Sequence, residues 1–571
     1  LCIRWDHLQR DQQADSDAED VAGGGLPGYG TFNYADESIT AAKLLNNRTE
    51  VFPEPRQAGG NLMGHTFNQF FPWQINEDGT EEETLNHVGR HEMVRYIQQS
   101  FDDDGALDTF YNIAARYNTN YFDNFIQMAE DPARPGTYIG IDAPEFSTHS
   151  AGQILSINGA PSVNADLMRL TYLTPRSTKG YYSAGQAPAD HTGLYRNPLP
   201  LSDGRLAAVH TSATTADRNA GTRAAPASLY DFRLKLLQKN ANYYEPDQPL
   251  TPGIHASVSY YDPDVLVSYS GLLWELDPVE VRPRTRPARV NAHVPAPEQR
   301  VFSSEGVDLA AFQSFMRSND LALIVSRNVT TRDQADKQQP FNLRVAGTAT
   351  QTKAASGRVY DISHLQLYQG DLIRGIRSGE RAGRRVLAQP MHGQAAEFNP
   401  ALSGAPAGSV RLGADGSMAA FVPARRAMTW QLTAPDGSGV VRERYWLTFQ
   451  PGEVRSCASC HGLNQRDQAG QSAPENEPEA LRALLQYWKA NSGYGDAIRI
   501  TSARRGAPGK INIQASFGQS QILVLEQSAD LKLWIPIRTN LLDANRSAGW
   551  DLDAAFPGQP GFFRVVGGGP Q

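Results

Sequence analysis

The chain has 571 residues, of which 40% are hydrophobic and 20% charged, and it contains 50 Gly and 36 Pro. Its length predicts about three or four domains, and the many Gly and Pro favour turns between strands over long helices. The net charge of −8 gives no basic surface for phosphate backbones, so we expect no nucleic-acid partner. No apolar run reaches the roughly 18 residues that a membrane-spanning helix needs, so no transmembrane segment is predicted.

The first residues, LCIRWDHLQRDQQADSDAED, lack an initiator Met and the basic and apolar regions of a signal peptide. They indicate a processed or truncated product, and we assign residues 1–60 to an N-terminal extension. Cys2 has two interpretations, a lipid-anchored cysteine of a mature lipoprotein or a free cysteine. The small residues that usually precede a lipidated cysteine are not visible, which favours the free cysteine.

Residues 61–285 contain short segments with the pattern strand, tight turn, strand. Each segment places Asp-Gly or a cluster of Pro, Asp and Gly against apolar or alternating residues. The segments are FPWQINEDGTEEETLNHVGRHE (71–92), LPLSDGRLAAVHT (199–211) and YYDPDVLVSYSGLLWELD (260–277). Repeated units of this kind predict an irregular β-propeller whose blades we do not count.

A histidine pair in the first of these segments is a candidate metal site. His87 and His91 are four residues apart and are followed by Glu92, a spacing that would bind a metal on a helix. The neighbouring INEDGT turn favours a propeller blade instead of a helix at this position.

Residues 286–495 are predicted to form a β-rich domain. The Pro- and Arg-rich segment 282–300 marks its start, and strands such as LALIVSR, FNLRVAG and MTWQLTAPDG follow with DG and PG turns. In 471–493, Pro478 fits the first turn of a helix, and Leu481, Leu484, Leu485 and Trp488 fall at helical spacing. Residues 496–571 return to strands and predict a small, β-sandwich-like terminal domain.

The segment GEVRSCASCHGLN, residues 452–464, holds two of the three cysteines in the chain. Cys457 and Cys460, with His461 directly behind, match c-type haem attachment, in which two thiols bond the haem vinyl groups and the histidine binds the iron. A zinc half-site would need a second cluster of Cys or His. A redox CxxC would open a helix after a buried strand, whereas this one follows RERYWLTF and a PGE turn. We therefore predict one covalent haem c, assembled outside the cytoplasm.

The second axial ligand of this haem iron must come from before Cys457, because no His or Met follows His461. We predict His392, which lies in the Pro- and Gly-bounded loop QPMHGQ. Lys and Tyr are further alternatives for this second axial ligand. The other candidates in the preceding hundred residues are His364, Met391, Met418 and Met428. The simpler interpretation of His364 is a half-buried histidine with its hydrogen bonds satisfied, and that of Met428 is packing in the core of a strand.

The run GSVRLGADGSMAAFVPARRAMTWQLTAPDGSGVVRERYWLTFQPGEVRSCASCHG (408–462) resembles the haem-bearing part of hydrazine synthase alpha-subunit-like proteins. The order of DGS, VPA, QL and PGE-R-SC-xx-CH carries the resemblance. It implies a propeller ahead of this domain, Cys457 and Cys460 as thioether sites, and His461 as proximal ligand. It also implies a tyrosine four positions after the histidine and a second haem motif, but this chain has Gln465 there and no second motif.

These features support three functions. The predicted one is a periplasmic or extracellular monohaem cytochrome that transfers electrons to or from a partner redox protein, because a lone haem cannot store several electrons. The second is a haem enzyme with an open iron site that acts on peroxide or a small nitrogen compound. The third is a surface or filament protein with a structural haem, whose propeller and terminal β domain mediate assembly. Under any of the three functions, a homo-oligomer or a larger assembly is a further expectation.

Overall fold

The fold is known from a computed structural model. It describes residues 2–7, 68–85, 118–144, 146–159, 163, 168–283, 292–333, 342–349, 359–374, 384–443, 446–460, 462, 466–491, 499–505, 510–516, 522–528, 535–541, 547–553 and 562–567.

Strands dominate the described residues, so the chain is mainly β, as predicted. In the first half of the chain the strands are β1 (Cys2–His7), β2 (Asn68–Gln74), β3 (Glu83–Thr84), β4 (Ile126–Glu130), β5 (Thr137–Asp142), β6 (Gln153–Asn158), β7 (Arg169–Tyr172), β8 (Leu194–Pro200), β9 (Leu206–Thr211), β10 (Arg233–Asn240), β11 (Tyr243–Pro249), β12 (His255–Asp262) and β13 (Val265–Leu272).

Further strands follow two helices. They are β14 (Leu321–Ser326), β15 (Asn342–Val345), β16 (Val359–Ile362), β17 (His364–Arg374), β18 (Arg384–Pro390), β19 (Ser409–Arg411), β20 (Met418–Pro423), β21 (Ala427–Thr433), β22 (Gly439–Arg442), β23 (Leu447–Thr448), β24 (Val454–Cys457), β25 (Arg499–Arg505), β26 (Lys510–Ser516), β27 (Ile522–Ser528), β28 (Ile535–Leu541), β29 (Ser547–Asp553) and β30 (Phe562–Gly567).

Helices are few in the described part of the chain. The α-helices are α1 (Ala296–Ser304), α2 (Leu309–Ser318), α3 (Gln394–Glu397) and α4 (Glu479–Asn491), and a 3-10 turn spans Arg176–Lys179. Within the described ranges, none of these helices has the length and apolar character needed to span a membrane.

The chain divides into two compact units. One comprises Leu1–Glu397 with Ala401–Arg482, and the other comprises Phe398–Pro400 with Ala483–Gln571. The boundary falls inside α4, thirteen residues before the predicted start of the terminal domain at 496. The predicted extension 1–60 and the boundary near 285 stay predictions.

Two consecutive four-stranded antiparallel sheets form the first part of the larger unit. Strands β4 to β7 pair in sequence order, and β8 to β11 do the same. Ile139 and Ile154 of the first sheet share a buried cluster with Tyr195 and Leu206 of the second. Sequential four-stranded sheets that pack face to face are what propeller blades require, although closure of a propeller stays a prediction.

The predicted hairpins are present. Segment 199–211 contains the end of β8, a turn and β9, and segment 260–277 contains most of the β12–β13 hairpin. In segment 71–92, β2 and β3 pair with each other, and β1 pairs with the other edge of β2. His87, His91 and Glu92 lie outside the described residues, so the metal site predicted there is not addressed.

The later part of the larger unit contains the sheet that carries the cysteine motif. Its strand order is β20-β14-β24, with β14 antiparallel to β20 and parallel to β24. Phe421 of β20 packs against Phe312 of α2, with ring centroids 5.6 Å apart, and Phe312 in turn contacts Phe302 of α1. Helices α1 and α2 were not predicted; their aromatic side chains cover one face of this sheet.

A second sheet has the order β18-β17-β21-β22, with β19 paired to β17 and β23 paired to β21. The short strands β15 and β16 form a parallel pair.

The smaller unit contains two three-stranded sheets, β25-β26-β29 and β28-β27-β30. Both sheets contribute to one buried cluster, with Ile513 and Trp550 from the first and Leu523 and Leu525 from the second. This arrangement agrees with the predicted sandwich-like terminal domain. Helix α4 begins directly after Pro478, and its predicted apolar residues Leu481, Leu484, Leu485 and Trp488 are all buried.

Candidate functional site

The two cysteines of the motif are held by one stretch of backbone that follows β14. Cys457 ends β24 and lies opposite Ser326 in the parallel pair, and its carbonyl accepts a hydrogen bond of 3.0 Å from the N–H of Arg327. Cys460 donates its N–H to the carbonyl of Thr331 at 3.2 Å. Neither cysteine forms a disulfide, both residues are partly exposed, and the Cys460 thiol lies 3.6 Å from the carbonyl of Val329. Residues 326–331 therefore fix the relative position of the two thiols.

The turn between and behind the cysteines is organised by Ser459. This residue is fully buried, and its hydroxyl lies 3.1 Å from the carbonyl of Gly462. Gly462 adopts φ +72°, a left-handed conformation that other residues rarely take. His461 and Gln465 lie outside the described residues, so the predicted proximal ligand has no position here.

The chain after the motif returns to the same stretch of backbone. The side chain of Gln468 donates to the carbonyl of Thr330 at 2.9 Å and accepts from the N–H of Arg332 at 2.9 Å. The N–H of Gln468 also donates to the carbonyl of Arg332 at 3.1 Å. Because one amide side chain bonds two backbone positions, it fixes the chain after the motif against the segment that follows β14.

A buried ion pair ties this stretch of backbone to α1. Arg327 donates two hydrogen bonds to Glu298, at 2.8 and 3.0 Å, and a third to the carbonyl of Pro474 at 3.0 Å. The Glu298 side chain is fully buried, so its charge needs the bidentate partner. This network stabilises the segment that carries both cysteine contacts.

Arg455, two residues before Cys457, is the centre of an acidic cluster. Its guanidinium lies 2.5 Å from a carboxylate oxygen of Glu81 and 2.6 Å from one of Glu83. The Arg455 side chain is 7% exposed, whereas each carboxylate is 32% exposed. The cluster thus brings residues from near the start of the chain against the strand that ends in Cys457.

Glu453 positions the acidic segment by backbone contacts. One of its carboxylate oxygens accepts the N–H of Glu81 at 3.0 Å, and the other accepts the N–H of Gln450 at 2.8 Å. Glu81 has φ +57°, a conformation that non-glycine residues rarely adopt, and this contact holds it there. Sequence reasoning missed the cluster, because it interpreted INEDGTEEET only as a blade turn.

The charges of the cluster act on one another. Desolvation raises the pKa of Glu81 and of Glu453, and the positive charge of Arg455 opposes this effect on both. Desolvation also raises the pKa of the Cys457 thiol, again opposed by Arg455. The negative charges of the carboxylates at Glu81, Glu83 and Glu453 outnumber the single positive charge of Arg455. This edge of the site is therefore negatively charged when the three carboxylates are ionised.

The geometry separates the candidates for the second axial ligand. Met418 on β20 lies opposite Ser326 on β14, which in turn lies opposite Cys457 on β24. Paired residues point to the same face of a sheet, so Met418 and Cys457 share a face, two strands or about 10 Å apart. Phe421 points to the other face, the one covered by α2.

The other candidates belong to the neighbouring sheet or its loops. His392, the predicted ligand, is an exposed residue after β18, and its backbone and ring contact the side chain of Gln369 on β17. His364 is buried at the start of β17, and its Nδ1 has no hydrogen-bond partner among the described residues. Met391 and Met428 are buried. The prediction of His392 stays untested, and Met418 is the candidate placed in line with Cys457.

The residues present fit the predicted cofactor in their chemistry. Two partly exposed cysteines three residues apart and outside any disulfide, with a histidine next in sequence, are the donor set of a c-type haem. Within the described residues no cluster of three or more His, Cys, Asp or Glu could hold a metal ion. Cys457, Cys460 and His461 are the groups that would hold a haem.

Comparison with known proteins gives one family match. Residues 375–462 match the family described as hydrazine synthase alpha subunit middle domain. This segment is hydrazine synthase alpha-like. It makes up less than a fifth of the chain and ends one residue after His461, so it includes both cysteines.

A solved structure of Kuenenia stuttgartiensis hydrazine synthase is also similar to part of the chain. The identity is 15%, the TM-score is 0.29, and the alignment covers 62% of this chain and 38% of that chain. No curated protein matches the chain.

Replacement of Arg455 tests the acidic cluster. Arg455→Met leaves Glu81 and Glu83 without their cation, and we expect the free energy of unfolding to fall by about 2–4 kcal/mol, because the carboxylates stay partly hydrated. Urea unfolding of the purified chain measures this. The matched control is Arg425→Met, because Arg425 pairs with Asp320 in an exposed ion pair at 3.4 Å, and we expect less than about 1 kcal/mol there. Equal effects of the two substitutions would contradict a structural role for the cluster.

Proposed function

We propose that this chain is an extracytoplasmic monohaem c-type cytochrome that exchanges electrons with a partner redox protein. The observation that carries the proposal is the cysteine pair, Cys457 and Cys460, which forms no disulfide and is fixed by residues 326–331 directly before a histidine. When bound, a haem c supplies one-electron redox chemistry. Thioether attachment takes place outside the cytoplasm, which supports a periplasmic or extracellular location.

The protein supports this function by rigidity. The cysteines are attached to a three-stranded sheet whose central strand, β14, is buried along its whole length. A site on strands moves less than a site on loops when its charge changes. Small structural change is an advantage for electron exchange, since no bond to substrate has to form or break.

The acidic cluster supports the same function electrostatically. Glu81, Glu83 and Glu453 place negative charge beside Cys457, which favours the more positively charged, oxidised state of a neighbouring redox centre. The clustered carboxylates also provide complementarity to a partner with basic residues around its own redox centre.

A haem enzyme is the second candidate, and the family match favours it in part. The matching family takes its name from hydrazine synthase, which is an enzyme. An enzymatic role requires a vacant position at the iron and polar groups beside it. Gln465, in place of the tyrosine that the family resemblance implies, argues against the same reaction in this chain.

Covalent attachment is the first test. We expect Cys457→Ser and Cys460→Ser each to leave at most one thioether bond to the haem. The double variant should carry no covalent haem. Acid–acetone extraction followed by mass measurement of the polypeptide gives the result. Cys2→Ser is the matched control, because Cys2 is the remaining cysteine of the chain and should leave attachment unchanged. Haem that leaves the wild-type polypeptide on extraction would refute the cofactor proposal.

The second test identifies the other axial ligand. If His392 binds the iron, His392→Ala changes the resting spectrum and accelerates cyanide binding by about tenfold or more, because the position becomes open. Met418→Leu preserves volume and should be silent in that case. If Met418 binds instead, the two results are exchanged, and the prediction of His392 is wrong. A ligand located after residue 461 would refute both.

The third test separates carrier from enzyme. We expect fast, reversible reduction by a small cytochrome, and no turnover of peroxide, nitric oxide, hydroxylamine or ammonium. Steady-state assays on the haem-loaded chain measure both properties. Turnover above roughly 1 per second, the low end of ordinary enzyme rates, would establish the enzymatic alternative.

A further inference from the structure

The exposed apolar residues of this protein are concentrated in one region. Of the fourteen large hydrophobic residues that the described ranges expose, ten lie between 250 and 281. They surround and include the β12–β13 hairpin, where Tyr261 is 72% exposed and Val258 46% exposed. An accumulation of this kind marks an interaction surface, since scattered single residues are the ordinary case.

Strand β12 is the outer strand of this hairpin. Seven of its eight residues are exposed, and the described sheet contains only β12 and β13. The outer edge of β13 is in contact with the rest of the unit, because the N–H of Ser268 donates to the carbonyl of Ala224 at 2.8 Å. The outer edge of β12 makes no backbone hydrogen bond to the described residues.

The sequence of β12 does not protect this edge. HASVSYYD contains no Pro, Lys or Arg, and its pairing with β13 runs from His255 to Asp262 without a bulge. Natural proteins usually block an exposed edge with such residues or with a bulge. A two-stranded hairpin is also only marginally stable alone, so an additional strand would stabilise it.

We propose that β12 pairs antiparallel with β12 of a second copy of this chain, about a two-fold axis at Val258. The two hairpins then form one four-stranded sheet across a dimer. This proposal is independent of the proposed haem function.

The hydrogen-bonding pattern permits this register. Ser268 points its N–H away from β12, and its partner in the ladder, Ser259, therefore points its own N–H and C=O away from β13. The same alternation applies to Ser257. With Val258 at the axis, Ser257 of one copy lies opposite Ser259 of the other, and each pair exchanges two backbone hydrogen bonds.

The side chains are self-complementary in this register, which is the reason for choosing a second copy as the occupant. On one face, the serine pairs Ser257–Ser270 and Ser259–Ser268 join into a continuous row of hydroxyls across the dimer. On the other face, Val258 meets Val258, and the small Ala256 lies opposite the large Tyr260. Neither face brings like charges together.

Cross-linking of the full chain tests the register. Val258→Cys places two thiols at a non-hydrogen-bonded pair, with Cα atoms about 4.5 Å apart, a distance that a disulfide bridges. We expect a covalent dimer on mild oxidation. Val281→Cys is the matched control, because Val281 is 95% exposed but lies outside the hairpin. Equal cross-linking of both variants, or none for Val258→Cys, would overturn the proposal.

Sedimentation equilibrium tests the dimer itself. Ser259→Pro removes the outward N–H of β12 but no hydrogen bond within the hairpin, and we expect the dimer Kd to rise about thirtyfold, because both copies lose a bond. Ser259→Ala keeps the N–H and removes only an exposed hydroxyl of the serine row, so it should raise the Kd by no more than about threefold. A wild-type chain that stays monomeric at roughly 100 μM would refute the proposal.

Discussion

The parallel pairing of β14 with β24 is the constraint on which the candidate site depends. Strand β14 fixes Cys457 through its last residue, and the segment that follows β14 fixes Cys460 and then Gln468. The two thiols therefore do not depend on the loop between them for their positions. A motif that is short in sequence is held by a partner segment more than a hundred residues away, and the buried Arg327–Glu298 pair stabilises that segment.

The two faces of this sheet are covered in different ways. Aromatic side chains of α2 pack on the face of Phe421, where burial of apolar area stabilises the contact. The face of Arg455 and Cys457 is covered at one end by the carboxylates of Glu81 and Glu83. A charged cover costs desolvation that an apolar cover does not, so its presence on the face of the cysteine favours a role in tuning charge over a role in stability alone.

Short sequence patterns correctly predicted two hairpins and one helix. An Asp-Gly turn predicted the hairpin β8–β9, a cluster of Pro and Asp predicted β12–β13, and apolar spacing predicted α4. Helices α1 and α2 were missed because the Pro- and Arg-rich segment before them dominated the interpretation. The contact of Arg455 with Glu81 joins residues 374 positions apart. No periodicity or spacing encodes such a contact, and only the need of a buried cation for carboxylates could have suggested that a partner exists.

The choice between Met418 and His392 is linked to the choice between carrier and enzyme. Met418 sits on a strand of the sheet that carries Cys457, where neighbouring strands restrict its movement. If Met418 binds the iron, a position fixed in this way would keep it bound through a redox cycle, which suits electron exchange. His392 lies exposed in a loop, held by a side-chain contact with Gln369. A loop ligand can leave and return at small cost, which would open a coordination position to substrate. Met418 as the ligand would therefore support the carrier function, and His392 as the ligand would support the enzyme.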